Sequence, residues 1–182
     1  MKKLIYLLFI TAFIPTMLHA QEPLKVDTVL QAPNMSKEQI YSIAKQWFVD
    51  NMNDASEVIQ LDDEKNCILM GKYNIPFEVN SFLFGNLSGY LKNTIKIQAR
   101  DGRYRLQFYD VIHSAKGLSS PAWDQGAVYT AVPENMPQVK RKSYSVMIKH
   151  ATPTFLEYCT YTITSLQKAM EEFNNLSEDN DW

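Results

Sequence analysis

The side chains able to do chemistry are few and scattered. Beyond the first twenty residues the chain has two histidines, His113 and His150. Asp110, Ser119 and Ser120 stand near His113, and these are the types that an orienting acid, a base and a nucleophile would use. Their spacing matches no G-x-S-x-G elbow, no H-E-x-x-H and no phosphate loop. In a strand, Asp110 and His113 point to opposite faces, where no orienting hydrogen bond can join them. Asp62, Asp63 and Glu64 lack the alternating spacing and distal glutamate of a calcium loop and read as a solvated turn. Cys67 and Cys159 belong to no CxxC or Cys/His cluster, so no zinc ligand set exists; they are either a disulfide or two buried thiols. Neither a metal nor a cofactor is expected, and no catalytic residue is assigned.

Three arginines fall within six residues in IKIQARDGRYRLQFYDV, residues 95–111, where Arg100, Arg103 and Arg105 flank Asp101-Gly102. An Asp-Gly pair between alternating apolar residues is a strong hairpin signal, because the turn needs positive φ. With that pair at the tip, facing residues sum to 203. Ala99 then faces Tyr104, Ile97 faces Leu106, Ile95 faces Phe108 and Leu91 faces Ile112, all apolar and on one side. Asn93 opposite Asp110 is the one polar break. The other side carries Tyr90 opposite His113, Thr94 opposite Tyr109, Lys96 opposite Gln107, Gln98 opposite Arg105 and Arg100 opposite Arg103. This register turns the arginines away from the core.

The elements that must hold this hairpin follow from the rest of the chain. MKKLIYLLFITAFIPTMLHAQ has the basic start, short apolar run and small residue of a secretory signal peptide covering residues 1–20. Its removal takes away two lysines and moves the net charge from −2 to −4. A mildly acidic domain is a poor nucleic-acid binder. No later segment is long and apolar enough to cross a membrane. The remaining length suits one domain, residues 21–175, with a short acidic tail at 176–182.

Leu24–Ala32 reads as an extended segment. Ser36 and Gln39 form a capping box for a helix over Lys37–Met52, with Ile40, Ile43, Ala44, Trp47, Phe48 and Met52 on its apolar stripe. SEVIQLDDEKNCILMGKYNI reads as a second hairpin, with Asn66 as the left-handed loop residue. Pro76–Asn93 is an irregular link into the next strand. Residues 114–150 form a long excursion containing Trp123 and Tyr129, and Val139–His150 could add an edge strand whose lysines and Arg141 discourage pairing with other chains. Pro153 opens a last helix, its stripe running from Phe155 through Tyr158, Cys159, Ile163, Leu166 and Met170 to Phe173.

The helix with Trp47, the stretch from Val58 to Glu64, Gly71-Lys72 and the run from Asp101 to Arg105 together resemble the exported, Bacteroides-type domain-of-unknown-function family 4468. Asn66-Cys67 stands where that family's first hairpin loop would carry a glycine. The resemblance implies a TBP-like α+β fold: a curved antiparallel sheet in strand-helix-four strands-helix order, with two helices packed on one face. It implies no activity, and a fold name does not bring DNA binding with it. The expected role is a noncatalytic binding or assembly module of the cell envelope or periplasm. Its partner would be an envelope protein, peptide or glycan held by the exposed sheet face. Tyr90, Lys96, Arg103, Arg105, Tyr109 and His113 are the candidate ligand-binding residues, with Trp123 folding over them or anchoring its loop. The alternatives are a small hydrolase-type enzyme with a site in the 110–129 region and a purely structural domain.

Overall fold

The computed structural model describes residues 22–52, 58–116 and 120–178. The expected signal peptide, Ser119 and the last four residues of the acidic tail lie outside them. The order is β1 (Val26–Gln31), α1 (Lys37–Asn51), β2 (Ile59–Asp63), β3 (Ile68–Phe77), β4 (Gly89–Arg100), β5 (Arg103–Ala115), the two-residue β6 (Gly126–Ala127) and the long helix α2 (Gln138–Glu178). Short turns at Gly85–Leu87 and Ser120–Trp123 complete it. Every strand pair is antiparallel, and the sheet order is β1-β5-β4-β3-β2 with β6 beside β1 on the edge of β5. Both helices lie on one face, and the core fills the space between them and the sheet.

Local chemistry explains α1. Ser36 Oγ accepts from the Gln39 N–H at 3.2 Å, and Gln39 Oε1 accepts from the Ser36 N–H at 2.8 Å, closing the expected capping box. A third orphan donor at this helix start, the Lys37 N–H, finds Asp101 Oδ1 at 2.9 Å. Trp47 and Phe48 are buried, and Trp47 Nε1 donates to Ser165 Oγ on α2. On the sheet side, Tyr41 donates to Asp62, which also pairs with Lys45 at 2.6 Å. Asp63 accepts from the backbone and side chain of Asn66. Asp62 therefore holds the α1–β2 contact, and Asp63 holds the loop of the first hairpin.

The tip of the second hairpin does more than reverse the chain. Gly102 has φ 72, and Asp101 stays at negative φ, so only the second turn residue is left-handed, as in a type II turn. The Gly102 N–H donates to the Met35 carbonyl, and its own carbonyl accepts from the Ala32 N–H, each at 2.9 Å. With Asp101 on Lys37, the turn fastens the β1–α1 connection to the far end of the sheet.

Three expectations need correction. Val139–His150 is helical, because α2 starts at Gln138 and runs through Pro153. Tyr144, Met147 and Ala151 are fully buried upstream and continue the stripe of Phe155, Cys159, Leu166 and Met170 at helical spacing. An interior proline costs about 3 kcal/mol, and burial of side chains such as Tyr144 and Met147, worth roughly 1.5–3 kcal/mol each, offsets it. The left-handed residue of the first hairpin loop is Cys67 (φ 51), not Asn66. The register summing to 203 holds from Arg100↔Arg103 to Thr94↔Tyr109 and then shifts by one, so that Leu91 faces His113 and Lys92 faces Ile112.

Candidate binding face

That register shift decides what the sheet displays. At the break Asp110 adopts φ 54, a bulge residue exposed beside its strand. Val111 then takes the inward place, followed by His113 and Ala115, and Ile112 turns outward at 45 % exposure. His113, expected on the open face, is 1 % exposed. Its Nδ1 accepts from the Gln125 N–H at 3.1 Å, so Nε2 carries the hydrogen and donates to the Leu87 carbonyl at 2.9 Å. The ring meets Phe77 edge-on at 5.3 Å. Burial pushes its pKa below the ordinary value, and it stays neutral. Both nitrogens are occupied in tying β5 to two loops.

Trp123 also leaves the face. It packs half-buried against the core, and its carbonyl accepts from the Gln125 side chain. Next to it, Asp124 Oδ1 accepts from the Ala115 N–H at 2.7 Å, at the end of β5. The 120–129 segment is thus an anchored structural connection. Its last residues cover the β5 edge, where the Val128 N–H donates to the Val111 carbonyl and the Leu24 N–H to the Val128 carbonyl.

The other candidates do share the side of the sheet opposite the helices. Tyr90, Lys96, Arg103, Arg105 and Tyr109 lie on it, joined by Gln98 and Gln107. Thr94 points the same way but is only 6 % exposed. Arg105 is engaged: Nε and Nη2 grip the Asp27 carboxylate of β1 at 2.8 and 2.5 Å, and Gln107 adds a third bond at 3.0 Å. This clamp holds the Asp27 carboxyl below its ordinary range and raises Arg105. Arg105 is therefore first a cross-strand fastener. Burial, and next the charge of Asp110, raise the Tyr109 hydroxyl.

The structure adds residues not singled out from sequence. Lys72 and Asn74 of β3 and Lys92 of β4 share this face, as does β1, whose Asp27, Val29 and Gln31 face Gln107, Arg105 and Arg103. The parity of β4, which places Lys92 with Lys96 and Arg100, was the available signal for Lys92. Nothing local announces that β1 lies beside β5. Among the described residues, Lys72, Lys92, Lys96, Arg100 and Arg103 have no ion-paired or hydrogen-bonded acid. Two recesses lie at the ends of the face. One of about 350 Å³ is bounded by Asp27, Thr28, Gln98, Arg100, Arg103 and Arg105, and one of about 420 Å³ by Lys72, Asn74, Lys92, Thr94, Asp110 and Ile112.

The cysteines are both free and buried. Burial raises the Cys67 thiol and pushes Cys159 up to about 12, so both pack as small apolar groups. No group of three metal-ligating side chains exists among the described residues, and none of the described helices is long and apolar enough to cross a membrane.

A family model described as "Domain of unknown function (DUF4468) with TBP-like fold" matches residues 27–114. A TBP-like protein from Parabacteroides distasonis ATCC 8503 has a similar crystal structure, with a TM-score of 0.60 at 11 % identity, covering 82 % of this chain and 93 % of that one. A DUF4468 family protein from Bacteroides ovatus ATCC 8483 aligns with a TM-score of 0.49 at 12 % identity, over 81 % of this chain and 86 % of that one. No curated protein matches.

Proposed function

We propose that the protein, whose residues 27–114 match a DUF4468 family model with TBP-like fold, is an exported, noncatalytic binding or assembly module of the cell envelope, holding its partner on the open sheet face. The observation that carries this reading is the set of five cations that, among the described residues, have no acid partner and lie on a face that no described helix covers. Tyr90 and Tyr109 lie among them, offering rings with polar tips. The hydrolase alternative loses its base, because His113 spends both nitrogens on backbone groups inside the core. Export rests on the leader, and N-terminal sequencing of the released protein should begin at Gln21.

The binding test arrays the purified protein against envelope glycans, peptides and envelope extracts, beside a Lys96→Ala/Arg103→Ala variant. Arg105 is left intact because removing it would also loosen β1. Capture of a component by the parent and its loss in the variant supports the reading. Capture that the variant leaves unchanged removes the sheet face from the account, and turnover of any substrate in a broad hydrolase screen replaces the noncatalytic assignment.

A further inference from the structure

We propose that the open face holds a linear acidic polysaccharide laid along β4, its anionic groups met by a track of five cations; this names the partner class for the binding reading above and rests on it. Lys92, Lys96 and Arg100 recur at every fourth residue of β4, all outward. At about 3.3 Å per residue they stand about 13 Å apart, and the track is about 26 Å long. Lys72 sits on β3 opposite Thr94, level with the gap between Lys92 and Lys96. Arg103 faces Arg100 at the far end.

The acids of this face do little to neutralise that track. Asp27 is held by Arg105 and Gln107, and Asp63 by Asn66. Asp110 has no hydrogen-bonded or ion-paired partner among the described residues, and it borders the recess at the Lys92 end. Two like charges directly opposite each other on a sheet repel. Arg100 and Arg103 are such a pair, and an anionic group between them turns the repulsion into a two-guanidinium grip. The recesses of about 350 and 420 Å³ mark the two ends, with Lys96 between. An open strip of this length suits an extended chain better than an enclosed small molecule.

Three features favour a polysaccharide over a nucleic acid. Asn74, Gln98 and Gln107 supply neutral donors and acceptors between the cations, matched to sugar hydroxyls. Single-stranded nucleic acid is usually held on successive aromatic platforms; among the described residues β4 and β5 turn Tyr90 and Tyr109 outward, and Tyr129 borders the recess beside Lys92, three rings that do not follow one another along the track. The whole chain carries net charge −2, which opposes association with the most densely charged polymers.

The test measures affinity for polygalacturonate, its methyl ester and a dT oligonucleotide at several salt concentrations. Polygalacturonate should bind, weaken with salt, and exceed the neutral ester at least tenfold. Arg100→Gln/Arg103→Gln should weaken it about tenfold and Lys92→Gln/Lys96→Gln about threefold, as expected for a few exposed charge contacts. Lys149→Gln, on α2, should change nothing. Thermal melts confirm that each variant folds. Equal binding of the ester, indifference to both track variants, or tighter binding of the oligonucleotide each overturns the proposal. If polygalacturonate fails while Lys96→Ala/Arg103→Ala still abolishes capture of an envelope component, the polysaccharide is wrong and the binding face stands.

Discussion

Replacing His113 with leucine keeps the apolar bulk of a side chain that is 1 % exposed but strands two backbone groups, the part-buried Gln125 N–H and the buried Leu87 carbonyl. Each orphaned group costs about 1–3 kcal/mol, so the variant should lose about 2–6 kcal/mol. For a chain of this size that lowers the midpoint of thermal unfolding by roughly 5–20 °C. His113→Gln, able to keep one of the two bonds, should fall between. The same residue sets a pH signature. Above its ordinary value of 6.5 the imidazole is neutral in both folded and unfolded chains, and its contribution is fully present. As pH falls below 6.5, the unfolded chain takes up a proton that the buried ring refuses. Stability then declines by at most about 1.4 kcal/mol per pH unit until the lowered folded value is passed. Asp27, Asp62 and Asp63, all held below their ordinary 3.8, act only below that value, outside the range from pH 7.5 to 5.0. Urea unfolding at pH 7.5, 6.5, 5.5 and 5.0 measures both effects. A leucine variant as stable as the parent, or one that retains the decline below pH 6.5, refutes the role assigned to His113.

The two hairpin ends should respond differently to added methyl groups. At Gly102 a Cβ meets nothing within 4 Å, and the cost is the left-handed backbone alone, about 1–2 kcal/mol. At Gly89 a Cβ would sit 2.2 Å from the Ser114 carbonyl oxygen, so Gly89→Ala should force the strands apart and cost more than Gly102→Ala in urea unfolding. A double-mutant cycle on Asp27→Ala and Arg105→Ala should return a small favourable coupling that shrinks as salt is added, since the pair is half-exposed despite its two-point grip. Pro153→Ala restores a helix hydrogen bond and should raise the melting temperature, as seen by circular dichroism; a fall would mean that the proline shapes α2 to the sheet.

Much of this architecture was legible because its causes are local. Ser36 and Gln39 announce α1, and Asp101-Gly102 sets a register that holds over seven residue pairs. The register failed at the polar break already visible as Asn93 opposite Asp110. A bulge at Asp110 resolves that mismatch by moving Val111 inward, which reverses the parity of everything after it and carries His113 into the core. The start of α2 was missed for a different reason. Pro153 carries a strong local stop signal, and the buried contacts of Tyr144 and Met147 that overrule it come from distant parts of the chain. The clamp of Arg105 on Asp27 was hidden for the same cause, being a contact across 78 residues.

The strand order also carries a kinetic consequence. β2, β3, β4 and β5 pair in chain order, so each ladder closes a short loop and can assemble early. β1 must wait for β5, and the contacts that seat it, Asp27 on Arg105 and Ala32 on Gly102, join segments far apart in sequence. Weakening the β1–β5 seam should therefore accelerate unfolding and leave the refolding rate nearly unchanged, and lesions at the β4–β5 turn should slow refolding. The first strand made is the last to be placed, and β5 presents an unpaired edge until it arrives.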